Sequence, residues 1–383
     1  MQQETSVVYY NKEVSVPRPP KIQGSTKVNL RHIQQSSINA NQQKHEMVDN
    51  GLSATVFNGI QEKGHEESDV CPPSSTFDPR KVEVCGGWIR TCPRDCMCEK
   101  KESIVQIPRI VHFIKDGNLT FSDWLAVVAA EKYIKPIKIN LYTREDVLPN
   151  CWMRRLHLIN HVNRIELTAG QWLENLNNVT VSRIEHQSDL LRNALLFHYG
   201  GVYMDTDAIA TKSFDALLAN HSIVLGQNLV NRTGNGLIIA RRRSCLICDY
   251  ASQACDKFDG SWTKHSTSSL SSLVKNSGTK YNLLLLDNNT GFFPFSWKEE
   301  HFNQLVDVNS TQIPFSPTQA YALHLFGSKF SEEIYERFGN LTWINESPSV
   351  LASHVRTLIN SQLLKPDHLN ETLCEELPPN LLG

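Results

Sequence analysis

Two aspartates one residue apart, Asp205 and Asp207, follow directly on an apolar run in the stretch SDLLRNALLFHYGGVYMDTDAIA, residues 188–210. Packing gives no reason for acids there. Read as the end of a strand, the pair projects to one side, because successive strand side chains alternate faces. In an open α/β sheet the carboxyl edge of the strands is where ligands bind. Two carboxylates a few ångströms apart repel each other unless a cation or a proton lies between them. Oxygen ligands suit a hard divalent ion such as Mn²⁺ or Mg²⁺, whose remaining positions phosphate oxygens fill. The chemistry expected is a metal joining the protein to a diphosphate, and the plain alternative is an exposed acidic turn. Asp189 and Arg192, three apart on the preceding helix, share a face. They read either as a surface ion pair or as part of a donor site beside the metal.

Elements able to position these groups begin after Pro108. RIVHFI (109–114) and IKINLY (137–142) have strand length and composition, and Ser122-Asp123 caps a helical stretch through Lys132. REDVLPNCWMRRLHLINHV reads as helix interrupted by Pro149, and VTVSRI (179–184) as strand. A helix over 188–199 ends at Gly200. VYM (202–204), SIVLG (222–226) and GLIIA (236–240) are further strand candidates. Strands alternating with helices predict an α/β fold with a mostly parallel sheet flanked by helices.

The stretch SDLLRNALLFHYGGVYMDTD resembles the DXD-containing sugar-binding region of glycosyltransferase family 32, which includes α1,4-galactosyl- and α1,4-N-acetylglucosaminyltransferases. The resemblance implies a GT-A-type, Rossmann-like sheet, a nucleotide-sugar donor, Mn²⁺ and retention of anomeric configuration. It makes Asp205 and Asp207 metal ligands. Arg192 would stabilise the phosphates or orient the sugar, Asp189 would accept sugar hydroxyls, and Tyr203 would line the donor pocket. Fainter similarity places three more residues at the donor. His112, in IPRIVHFIK, would lie near the nucleotide, although alone it reads equally as a core histidine. Asn235, in TGNGLIIARR, would sit beside the sugar, and His324, in YALHLFGS, would approach the metal or diphosphate, with Phe326 where the family carries tryptophan. UDP-galactose and UDP-N-acetylglucosamine are the leading donors implied, with GDP-mannose behind them, and a glycan or glycolipid the acceptor. One departure is Thr267-Ser268, where the family often has Gly-Pro. It motivates a rival reading as a sugar-nucleotide binder without transfer activity. A second rival is an aspartyl-phosphate hydrolase, in which the first aspartate is the nucleophile.

The 383 residues divide by composition into a polar, disordered tail or stem (1–70), a cysteine-rich segment (71–104), the catalytic domain (105–330) and a helical extension (331–383). With 40% hydrophobic and 20% charged residues and a net charge of −2, there is no basic footprint for nucleic acid. No apolar run reaches membrane-spanning length and the N-terminus lacks signal-peptide order, so membrane association would need an anchor not visible in the sequence. Ten cysteines, clustered at Cys71, Cys85, Cys92, Cys96 and Cys98, read as disulfides, with a zinc site as the alternative. Nine Asn-x-Ser/Thr acceptors, at Asn118, Asn178, Asn220, Asn231, Asn288, Asn309, Asn340, Asn345 and Asn370, point with the cysteines to the Golgi lumen. Native material should therefore lose mass on enzymatic deglycosylation, and an unchanged mass spectrum would remove the lumenal expectation.

Overall fold

The apolar run at 110–114 becomes the strand around which the sheet is laid. The computed structural model describes residues 84–86, 89 and 106–359, except 147–148, 160, 168–173, 220, 278–280, 297, 307–318 and 328–340. The polar tail, most of the cysteine-rich segment, and the stretches 331–340 and 360–383 of the helical extension lie outside the described residues, which all belong to one unit, Ser68–Gly383.

In chain order, β1 (Ile110–Ile114), α1 (Phe121–Ile134) and β2 (Lys138–Arg144) are followed by the short α2 (Cys151–Arg154) and β3 (Val162–Leu167). A hairpin, β4 (Asn175–Leu176) and β5 (Val179–Thr180), leads to α3 (Ile184–Tyr199), β6 (Gly201–Met204) and β7 (Ala208–Ala210). Next come α4 (Asp215–Ala219), β8 (Ile223–Gly226), β9 (Leu237–Ala240), α5 (Cys245–Lys257) and α6 (Thr267–Ser277). The remainder is β10 (Leu283–Leu286), α7 (Glu299–Val306), β11 (Ala322–His324), α8 (Leu341–Glu346) and α9 (Val350–Ile359). Seven strands form the central sheet in the order β10-β8-β9-β6-β1-β2-β3, and only β9 runs antiparallel to its neighbours. This is the mostly parallel α/β architecture expected from the alternation of elements.

Both faces of the sheet are covered, and the strands show it residue by residue. Val111, Phe113, Val202, Met204 and Ile239 join one apolar cluster with α1. Ile114, Tyr203, Ile238 and Ala240 join the other with α3 and α5. Such double burial explains strands that are apolar throughout rather than alternating. Among the described residues no helix is long and apolar enough to cross a membrane.

Local chemistry moves several boundaries. The cap of α1 is Thr120, which accepts from the Asp123 N–H while Asp123 accepts from the Thr120 N–H at 2.7 Å, a capping box in which Ser122-Asp123 form the first turn. The stretch 144–162 is helical only briefly, through α2 and a 3₁₀ turn, before β3 takes the sheet edge. The strand expected at 179–184 shrinks to two residues, because Asn177 and Asn178, at φ 54° and 61°, turn the chain back as a hairpin. Gly201 has φ 102°, and a Cβ on it would lie 2.3 Å from the Ile110 carbonyl oxygen, so glycine is what lets β6 slide in beside β1.

The resemblance leads one to expect His112 near the nucleotide, and in the sheet it lies beneath the cavity rather than in its wall. His112 is fully buried in β1, its ring nitrogens 3.2 Å from the Tyr142 hydroxyl and 3.0 Å from the Gly200 carbonyl. It lies two residues short of Ile114, the first β1 residue to reach the cavity described below, and thus about 6.6 Å deeper along the strand. Burial pushes its pKa from 6.5 down to about 4, against the pull of the Gly200 carbonyl. Between pH 6.5 and 4 the unfolded chain binds a proton here that the folded chain refuses, so this residue erodes stability as the pH falls. The full effect is about 3 kcal/mol. Denaturant titrations at pH 7 and 4.5 should show a smaller loss of stability in His112→Gln than in the wild type, and equal losses would contradict the buried neutral imidazole.

Candidate active site

Strand β6 stops at Met204, so alternation along a strand is not what unites the two aspartates. Residues 205–207 form a turn closed by the Ala208 N–H on the Asp205 carbonyl at 2.9 Å, and the Asp205 N–H is fixed to the Gly236 carbonyl at 2.7 Å. After the turn, β7 pairs antiparallel with β11, setting Ala208 opposite His324. The return strand also fixes Asp207: its carbonyl accepts the Leu325 N–H at 2.8 Å and its Oδ2 the Gly327 N–H at 2.7 Å. His324 Nε2 then lies 3.1 Å from Asp205 Oδ2 and 3.4 Å from Asp207 Oδ1. One ligand atom from each of the three lies within 4.8 Å of the others. Two carboxylates and an imidazole suit Mn²⁺ or Mg²⁺, with the nitrogen favouring Mn²⁺.

The three groups hold one another's charge. Burial opposes ionisation of Asp205, but Arg192 and the hydrogen bonds from His324 and Tyr203 outweigh it and keep its carboxyl below the usual range. Burial raises the Asp207 pKa, with the nearby charge of Asp205 adding to the effect. Burial likewise works against the imidazolium of His324, yet Asp207 and Asp205 together raise its pKa.

Beside this trio lies Arg192, at 3% exposure. Its Nη2 is 3.0 Å from Asp189 Oδ1 and 3.2 Å from Asp205 Oδ1. Its Nε donates to the Ser188 carbonyl at 3.2 Å and its Nη1 to the Asn235 carbonyl at 2.5 Å. The guanidinium stacks 4.3 Å from the Tyr203 ring centroid, and the Tyr203 hydroxyl donates to Asp205 Oδ1 at 2.6 Å. Asn235 Nδ2 donates to Asp189 Oδ1 at 2.7 Å. The other Asp189 oxygen is 3.3 Å from Nε2 of the fully buried His265, off the line that a hydrogen bond needs. Sequence reasoning weighed Asp189 and Arg192 as a surface ion pair or as part of a donor site; they are a buried pair.

These groups share a cavity of about 720 Å³. Asp189, Arg192, Tyr203, Asp205, Asp207, Asn235 and His324 all line it, so seven of the eight expected site residues come together and His112 is the exception. Lys115, Asp123, His186 and Phe293 line it as well and were not anticipated as site residues, and Trp262 lines it from the stretch 260–274, which the resemblance implies is an acceptor-side loop. Lys115 pairs with Asp123 at 2.7 Å across the β1–α1 loop, a contact with no signal in the sequence. Gly236 entered the sequence reading only as the neighbour of Asn235 in TGNGLIIARR. A Cβ there would stand 2.5 Å from His324 Nε2 and 2.6 Å from Asp205 Oδ2. Phe326, in the tryptophan position, adopts φ 54° and packs its ring 4.4 Å from that of His324, a strained backbone retained where it braces the imidazole.

Residues 86–224 match the family model described as the glycosyltransferase sugar-binding region containing DXD motif. That span includes Asp189, Arg192, Tyr203, Asp205 and Asp207, and ends before Asn235 and His324. Glucan organizing enzyme 1 of Cryptococcus neoformans var. grubii is 26% identical over 254 residues, covering 60% of this chain and 65% of that protein, so the chain spans just under two thirds of this relative's length. Among solved structures, the PaToxG glycosyltransferase aligns at 13% identity over 70% of this chain and 96% of its own, with a TM-score of 0.37. Galactosyltransferase LgtC in complex with donor and acceptor sugar analogs aligns at 10% identity over 67% and 98%, with a TM-score of 0.35. The glycosyltransferase GlyE of Streptococcus pneumoniae aligns at 13% identity over 70% and 64%, with a TM-score of 0.38.

The atoms that a side chain at position 236 would meet are the ends of His324 and Asp205, so the backbone can survive such a change while the trio moves. Gly236→Ala should weaken Mn²⁺ binding on the order of tenfold or more and shift unfolding stability by no more than about 1 kcal/mol. Calorimetric Mn²⁺ titration beside a denaturation curve checks both, and unaltered affinity would contradict the steric role of Gly236.

Proposed function

We propose that this chain, whose residues 86–224 carry a glycosyltransferase sugar-binding region containing a DXD motif, is a metal-dependent, retaining hexosyltransferase. It moves galactose or N-acetylglucosamine from a UDP-sugar onto a glycan or glycolipid acceptor. The observation carrying this reading is the meeting of Asp205, Asp207 and His324 in one cavity with the buried Asp189–Arg192 pair.

Asp205, Asp207 and His324 Nε2 would hold Mn²⁺ or Mg²⁺. When bound, the ion supplies Lewis-acid neutralisation of the leaving diphosphate, worth several kcal/mol. Arg192 acts through its neighbours: with its Nε, Nη1 and Nη2 all bonded to protein atoms, it aligns Asp189 with Asp205 rather than reaching for phosphate. Asp189, braced by Asn235 and Arg192, presents its second oxygen to a sugar hydroxyl. Tyr203 spends its hydroxyl on Asp205 and offers its ring as part of the floor. The same contacts weigh against the aspartyl-phosphate alternative, because both oxygens of Asp205 are engaged, by Tyr203, Arg192 and His324, where a nucleophile needs an open one.

A place in the Golgi lumen is part of this reading. It is supported by the disulfide between Cys85 and Cys255, and by the exposure of the acceptors Asn118, Asn178, Asn231 and Asn345.

Nucleotide release from UDP-galactose, UDP-N-acetylglucosamine and GDP-mannose in Mn²⁺ tests the assignment. One UDP-sugar should be consumed, with the rate abolished by a chelator and lowered about 100-fold or more in Asp207→Asn. Turnover that survives in both Asp205→Asn and Asp207→Asn would sink it.

A further inference from the structure

Trp262 is exposed at 40%, and among the described residues it is the aromatic side chain left open to that degree. It is not on an outer surface, since it lines the same cavity as the metal-ligating trio. Its ring is held in place: the Arg183 guanidinium lies 5.5 Å from the ring centroid, and the His186 ring 5.8 Å away at 60°. The loop carrying it is braced from both ends. Asp259 pairs with Lys264 at 2.7 Å and accepts from the Ser261 N–H at 3.0 Å, while the Ser266 hydroxyl donates to the Trp262 carbonyl at 3.2 Å. A fixed, open indole in a cavity wall is a ligand surface rather than a packing residue.

Its position relative to the donor groups follows from a line of contacts. Trp262 touches His186, the His186 ring lies 4.8 Å from that of His265, and His265 approaches Asp189, which Arg192 ties to Asp205. Trp262 is thus linked to Asp189 through the rings of His186 and His265. Beside it the cavity wall carries Glu185, Thr263, Ser266 and Thr267, a carboxylate and three hydroxyls. A flat apolar face bordered by such groups is the complement of a pyranose, which presents C–H bonds on one face and hydroxyls around its edge.

We propose that Trp262 is the platform on which the acceptor's pyranose ring lies, a subsite separate from the one that takes the donor. This rests on the reading of the cavity as a glycosyltransferase site. The competing occupant of the indole is the donor's own base, and the experiment separates the two.

Saturation-transfer NMR on the full chain with UDP and Mn²⁺, using lactose and methyl β-galactopyranoside as probes, should show saturation reaching the sugar ring C–H protons. Trp262→Ala should reduce it about tenfold and Trp262→Phe should retain most of it. In the transfer assay the acceptor KM should rise by about tenfold more than the donor KM. Undiminished saturation in Trp262→Ala overturns the proposal. So does a loss of UDP binding equal to the loss of sugar binding, which would make the indole a base platform. A wild type that binds UDP but passes no saturation to either sugar overturns the platform alone. A wild type that binds no UDP in Mn²⁺ overturns the transferase reading beneath it.

Discussion

A permanently charged guanidinium buried in the molecule governs this site. Arg192 is nearly without solvent, and such a charge is tolerated only when opposite charges and well-aligned hydrogen bonds replace water. Asp189 and Asp205 supply the charges, and the carbonyls of Ser188 and Asn235 take two further donors. One residue therefore ties together a helix, the turn after β6 and the loop entering β9. Deleting it would leave two carboxylates facing each other without a cation, so its cost would fall on folding as well as on chemistry.

The rest of the constellation is arranged around that constraint by backbone geometry. The turn at 205–207 is too short to orient two acids by itself. Asp205 is held by the Gly236 carbonyl, and Asp207 by the amides of Leu325 and Gly327. The two acids thus keep their geometry through hydrogen bonds to main-chain atoms, while the imidazole of His324 is held by the rings of Phe293 and Phe326. Phe326 closes the arrangement with an aromatic wall against His324, and its left-handed backbone is tolerated because β11 and the Asp207 contacts determine it from both sides.

Much of this was legible in the residues. Apolar runs with glycine and proline punctuation marked β1, β2, β6, β8 and β9, and the double glycine followed by Asp-x-Asp marked the centre of the site. Position along the chain failed where tertiary contacts decide. The polar-edged VNRIEL does not read as a strand until β2 offers it an edge, and VTVSRI gives way to an asparagine hairpin and the start of a helix. His112 could be weighed only as donor residue or core residue, because its depth depends on where β1 meets the cavity. The pairing of Lys115 with Asp123 carries no sequence signal, since the ion pair exists only once β1 and α1 fold together.

The trio's third member comes from far along the chain. His324 and Asp205 stand 119 residues apart, and the central sheet is complete by Leu286, before β11 has been made. A nascent chain halted after β10 would carry both acids and lack the imidazole. Binding of a cation by the three groups would add to the docking free energy of β11 on β7, because whatever binds only the assembled form stabilises it. A divalent ion held by all three groups would therefore favour molecules in which β11 is docked over those in which it is not.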